Sequence, residues 1–156
     1  GKYIFFYSYN YGDDTLNRLV KEASSKLDLP VYVINASRWI QKDIKTYGFN
    51  LAAQGGPIAF LSLMKYADFV FVQSLHGSIF ASIFKKNFWF LSNRETDALD
   101  QRSENILSLL NARNRTIRPN NFEFIDLRNS KDYSHNSELD TAKDESMRYL
   151  KECYGL

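Results

Sequence analysis

Ser74, His76, Gly77 and Ser78 fall within five residues, between the apolar run Phe69-Val70-Phe71-Val72 and the apolar positions Ile79, Phe80, Ile83 and Phe84. These residue types suit one kind of chemistry. An imidazole exchanges protons near neutral pH, a glycine lets a ligand approach the backbone, and hydroxyls hold an anion. The unbroken apolar run reads as a strand buried on both faces, and the spacing after it reads as a helix. The four residues then occupy a turn at the carboxyl end of a strand, where open α/β sheets bind ligands. On this reading the free amides of Gly77, Ser78 and Ile79 face an anion at a helix start. His76 is the expected proton-transfer residue, with Ser74, Gly77 and Ser78 expected to bind substrate. The competing reading is a histidine packed in the core, with Ser74 and Ser78 only satisfying the turn.

Other residues offer less. Arg94, Arg102, Arg113 and Arg115 are possible anion clamps, each also readable as a solvated surface residue. Arg94 stands out because it sits in the polar loop 92–101, which follows the apolar run Phe88–Leu91 and is expected to be mobile without ligand. Its expected role is to bring a cation over a bound anion. His135 reads as surface. Trp39 and Trp89 read as core or lid, although an exposed Trp39 would suit a sugar face. No Cys, His and carboxylate set has metal-ligand spacing, so no metal is expected. Gly-x-Gly-x-x-Gly, the phosphate-cradling Gly-Lys-Ser/Thr loop and the Gly-x-Ser-x-Gly elbow are all absent.

The elements that must hold these residues can be traced along the chain. Residues 3–9 read as a strand, and Asp13 or Asp14 caps a helix running to about residue 27. Val31–Ile34 reads as a second strand, completing a parallel βαβ unit. Residues 35–56 read as a loop with at most a short helical turn. Pro57 opens a helix with an apolar face on Ile58, Leu61 and Met64, with Phe60 as a further candidate, up to Ala67. After the strand and helix around His76 come a strand at 88–91, a helix at 103–112, a short strand at Phe122–Leu127 and an amphipathic helix at about 138–153. Strands alternating with helices predict a three-layer, Rossmann-like α/β domain with a mainly parallel sheet.

Composition bounds the function. The chain has 156 residues, 44% hydrophobic and 24% charged, with 12 Phe and 10 Tyr. That suits one packed domain and argues against disorder. A net charge of +2 is too slight to imply a nucleic-acid partner. The single cysteine, Cys153, fits a reducing compartment. The sequence opens abruptly on a strand, with Gly1 reading as a cloning remnant, as expected for a piece of a longer protein.

Together the residues carry a resemblance. Gly56-Pro-Ile-Ala-Phe-Leu-Ser-Leu-Met-Lys-Tyr-Ala-Asp68, then Val72-Gln-Ser-Leu-His-Gly-Ser-Ile-Phe80, resembles the polysaccharide pyruvyl transferase family. Its members have a Gly-Pro-x-x-Phe-Leu helix, an Ala-Asp strand and Ser-Phe-His-Gly-(Thr/Ser)-x-Phe at the strand's end. Ile106-Leu-Ser-Leu-Leu-Asn-Ala-Arg-Asn-Arg115 resembles the family's Leu-Leu-x-x-Leu-x-x-x-x-Arg segment. The resemblance covers roughly residues 1–118. It implies the carboxyl-terminal half of a GT-B-like enzyme, with residues 1–156 as one domain and a missing amino-terminal half as its partner. The implied reaction moves the pyruvyl unit of phosphoenolpyruvate to a saccharide acceptor, in some cases lipid-linked, with no further cofactor. The implied place is cytoplasmic, at the inner face of the membrane where the acceptor is lipid-linked. Some relatives carry Arg-Leu-His, with the arginine implicated in donor binding. Here Ser74 holds that position, which leaves donor binding to Arg94 or to the other half. The alternatives are a GT-B glycosyltransferase domain binding a nucleotide sugar, with Glu95 as its weak ribose ligand, or a non-catalytic sugar-binding module. As half of an enzyme, the chain is expected to fold alone without catalysing.

Overall fold

In the computed structural model the described residues are 1–10, 12–34, 36–41, 44–92, 99–133 and 136–155, with only the backbone described for Arg38, Gln41 and Lys45. Strands β1 (Ile4–Tyr7), β2 (Val31–Val33), β3 (Asn50–Leu51), β4 (Phe69–Val72), β5 (Asn87–Leu91) and β6 (Thr116–Ile117) form one sheet in the order β3-β2-β1-β4-β5-β6. Every pairing is parallel. The helices are α1 (Asp14–Leu27), α2 (Ser37–Gln41), α3 (Gly56–Tyr66), α4 (Leu75–Ile83), α5 (Gln101–Leu109) and α6 (Ser137–Tyr154).

β1, β2, β4 and residues 88–91 of β5 are free of charged and amide side chains because both faces of the sheet are covered there. Period-two alternation sends Ile4, Phe6, Phe69, Phe71, Trp89 and Leu91 to one side, against Leu16, Leu19, Val20 and Ala23 of α1. It sends Phe5, Val70, Val72, Phe88 and Phe90 to the other, against Met64, Ala81 and Leu107 of α3, α4 and α5. Trp39 is fully buried, edge-on to Phe6 and Phe49, so it is core and not a sugar face. Trp89 is core as well.

The fold departs from the sequence expectation in several elements. Residues 35–56 hold α2, a 3₁₀ turn at Ile44–Tyr47 and β3, which extends the sheet beyond β2. The strand expected at Phe122–Leu127 is instead a 3₁₀ turn at Phe122–Phe124, and the true last strand is β6. The Arg118 carbonyl accepts the amides of Asn121 and Phe122, which curls the chain and buries Phe122 and Leu127 while Phe124 stays exposed. On α3 the buried face is Met64 with Phe60 and Leu63, while Ile58 is 84% and Leu61 38% exposed. The last helix forms, but no residue of α6 is fully buried: Leu139 and Ala142 are half-buried, while Met147 and Leu150 are exposed.

Candidate functional site

The strand order places the site. β2 and β3 lie to one side of β1, and β4, β5 and β6 lie to the other, so the order of strand addition reverses between β1 and β4 while the strands stay parallel. A crevice opens outside the carboxyl ends of the strands at such a switch point. The chain leaving β1 is tied there to the chain leaving β4. The Ser8 hydroxyl donates to Gln73 Oε1 at 2.6 Å, and the Gln73 backbone N–H donates to the Tyr7 carbonyl at 2.9 Å.

Helix α4 starts at this point. Ser74 is its N-cap, with extended backbone, and its Oγ accepts the Gly77 amide through a long 3.5 Å contact. The Ser74 carbonyl accepts both the amide and the hydroxyl of Ser78, at 3.0 and 3.2 Å. The helix therefore begins two residues earlier than the glycine suggested. Gly77 and Ser78 are buried and spend their donors on Ser74, so neither presents a free amide, and Ile79 lies inside the helix. Among the described residues, the amides without an acceptor at this helix start are those of Leu75 and His76. His76 itself is exposed, and among the described residues its ring makes no hydrogen bond. The core-histidine alternative is thus removed.

Packing by itself requires a glycine at position 77. A Cβ there would lie 2.9 Å from Val72 Cγ1, 3.0 Å from Tyr7 Cδ1 and 3.2 Å from Val72 Cβ. Both neighbours are side chains of the switch-point strands, held in place by the sheet. Gly77→Ala is expected to cost about 1–3 kcal/mol by overpacking. It should also displace the start of α4, which a shift of the His76 amide resonance would register. An unchanged melting temperature with an unchanged His76 signal would show that the contact is looser than described.

Electrostatics separate the helix starts. α1 begins with Asp13, which accepts the Leu16 amide, and with Asp14, which accepts the Tyr47 hydroxyl. α5 begins with Asp100, whose carboxyl is held below its ordinary range by the hydroxyl and amide of Ser103. Those two dipole ends are already neutralised by carboxylates. α3 and α4 have no acidic residue in their first turns, so their positive ends remain available to an anion.

The arginines divide into structural and solvated. Arg115 is buried: Nε donates to the Phe88 carbonyl at 2.9 Å, Nη1 to the Asn129 carbonyl at 3.0 Å and Nη2 to Asn87 Oδ1. Its guanidinium lies 4.0 Å over the Trp89 ring, and burial pushes its pKa down to about 10. It is a fastener of the last third of the chain, not an anion clamp. Arg113 pairs with Glu104 at 2.8 Å, and Arg102 is solvent-facing beside Asp100. Arg94 and Glu95 lie outside the described residues, as do most of the 92–101 loop and His135. Arg118, buried just past the end of β6, and the buried Ser8 and Gln73 carry no local signal in the sequence. Among the described residues no cluster of three or more His, Cys, Asp or Glu could hold a metal ion, and no helix is long and apolar enough to cross a membrane.

The family model for polysaccharide pyruvyl transferase matches residues 1–95, from β1 through β5 and including all of α4. The chain belongs to the polysaccharide pyruvyl transferase family. In fold it is similar to UDP-GlcNAc 2-epimerase from Methanocaldococcus jannaschii, with a TM-score of 0.59 and 14% identity over 94% of this chain and 46% of that one. It is also similar to UDP-GlcNAc 2-epimerase from Neisseria meningitidis, solved bound to UDP-GlcNAc, with a TM-score of 0.52 and 13% identity over 97% of this chain and 37% of that one. At such identities the likeness is one of fold, and it agrees with the Rossmann-like, GT-B-related class expected from the sequence. The chain spans less than half the length of these structures. No curated protein matches the sequence. The pyruvyl transferase match places this chain in a transferase family, and it contains the whole of the β1/β4 switch point.

Proposed function

We propose that the chain is the donor-side half of a polysaccharide pyruvyl transferase, acting on phosphoenolpyruvate and on a sugar of a bacterial surface polysaccharide. The observation that supports it most is His76, exposed in the first turn of an acid-free helix at the switch point, inside the family-matched segment. The donor's carboxylate or phosphate sits at the Leu75 and His76 amides, where the helix dipole favours negative charge. His76 delivers a proton to the methylene carbon of the enol, and positive charge develops at the adjacent carbon. A sugar hydroxyl attacks that carbon and gives its proton back to the neutral His76 ring. A second hydroxyl then displaces phosphate and closes the cyclic ketal, its proton leaving with the phosphate. Helix-start amides aimed at the donor's anionic groups hold the reacting carbon in register with the acceptor, which the other half of the enzyme supplies.

The two ligand classes suggested by family and fold separate in one titration. Isotope-labelled chain is titrated with phosphoenolpyruvate and, separately, with UDP-GlcNAc. Phosphoenolpyruvate is expected to move the Leu75 and His76 amide signals with a dissociation constant on the order of 1 mM, about 4 kcal/mol, as suits half a cleft. Binding of UDP-GlcNAc at these amides, with phosphoenolpyruvate inert, would replace this reading with the nucleotide-sugar one.

A further inference from the structure

The switch point also holds a hydrogen-bond donor that nothing in the fold uses. Gln73 is 7% exposed, and its side-chain oxygen accepts the Ser8 hydroxyl at 2.6 Å. Ser8 Oγ accepts the Asn10 amide at 3.0 Å. With one lone pair of Ser8 Oγ taken by the Asn10 amide, its hydrogen remains to donate, and Gln73 meets it with Oε1. The nitrogen end is thereby turned away from Ser8. Among the described residues neither of its hydrogens has an acceptor, and the nitrogen is not one of the polar atoms sealed from solvent without a partner. A buried side chain held at one end and unpaired at the other is poised for a ligand. Gln73 directly precedes the Ser74 cap, so this donor stands at the same sheet edge as the unpaired Leu75 and His76 amides.

We propose that Gln73 is a substrate-binding residue: its NH2 group, oriented by Ser8, donates to a carboxylate or phosphate oxygen of the bound substrate alongside the Leu75 and His76 amides. This rests on the reading of the α4 start as the anion site. The glutamine contributes two donors without charge. It therefore sets the orientation of a planar or tetrahedral anion that the helix dipole attracts but does not by itself orient.

The test uses isotope-labelled chain titrated with phosphoenolpyruvate, inorganic phosphate and pyruvate, each against chloride at equal ionic strength. The Gln73 NH2 pair is assigned by its disappearance in Gln73→Glu. The pair is expected to shift together with the Leu75 and His76 amides along one binding curve. Gln73→Glu keeps the size and still accepts the Ser8 hydroxyl, and it should weaken binding at least tenfold with the melting temperature within a few degrees of the parent. A response to phosphate alone assigns the contact to the phosphate group, and a response to pyruvate alone assigns it to the carboxylate. Either supports the proposal. If Gln73→Glu fails to fold, the NH2 signals of the parent chain decide. If phosphoenolpyruvate binds while the pair stays still, or Gln73→Glu binds like the parent, the inference falls and the donor reading stands. If phosphate and pyruvate engage Gln73 but phosphoenolpyruvate binds no more tightly than either, the inference stands and the donor reading falls. Absence of binding by all three anions overturns both.

Discussion

His76→Gln in the full-length enzyme is expected to slow phosphate release from phosphoenolpyruvate by about 10²–10⁴-fold, the usual worth of a positioned acid or base. The melting temperature should not move, because the ring is exposed and no hydrogen bond among the described residues depends on it. Glutamine keeps a hydrogen-bond donor at the position but exchanges no proton near neutral pH. If His76 acts through its proton, kcat falls while the KM for phosphoenolpyruvate changes little, since the Leu75 and His76 backbone amides survive the substitution. A loss confined to KM would make His76 a binding residue. Turnover close to the parent rate would remove proton transfer by His76 from the mechanism.

Arg115→Lys is expected to destabilise the fold by about 3 kcal/mol, a large cost for a conservative change. Lysine offers one ammonium in place of the planar fork that reaches the Phe88 carbonyl, the Asn129 carbonyl and Asn87 Oδ1 together. Two of these buried acceptors lose a charge-assisted bond worth about 1.5 kcal/mol or more each, and the stack on Trp89 is weakened. For a chain of this length about 3 kcal/mol lowers the melting temperature by roughly 6–12 °C. Because Asn129 belongs to the segment that follows the 3₁₀ turn, hydrogen exchange should rise there before it rises in β1 or β4. A melting temperature within 2 °C of the parent would contradict the fastening role. Charge alone, which lysine retains, would then be what the site needs.

These two residues also show what the sequence made legible. β1, α1, β2, β4 and β5 announce themselves through apolar runs and a capping aspartate, because burial on two faces or one stripe writes a clear period into the chain. β3 and β6 contribute two residues each, too few for a period, and owe their extended form to pairing with β2 and β5. Phe122–Leu127 has the composition of a strand, but the Arg118 carbonyl, accepting two successive amides, turns it into a 3₁₀ curl. At the site the serines, the histidine and their place after β4 were readable, while the capping role of Ser74 was not. The helix start was set two residues late because Gly77 reads as a turn residue. Its physical reason, the close approach to Val72 and Tyr7, exists only once β1 lies beside β4. Arg115 has the sequence signature of a surface cation, and only the tertiary fold lays it over Trp89. The Ser8–Gln73 bond joins residues 65 positions apart, and no local pattern marks either partner.

The most direct test is the reaction itself. The full-length enzyme is incubated with phosphoenolpyruvate and saccharide acceptors, and released phosphate is measured against pyruvylated sugar detected by mass spectrometry. Pyruvyl transfer predicts acceptor-dependent phosphate release matched one to one by sugar carrying the added pyruvyl mass. Consumption of a UDP-sugar under the same conditions, with no phosphate released from phosphoenolpyruvate, would contradict it.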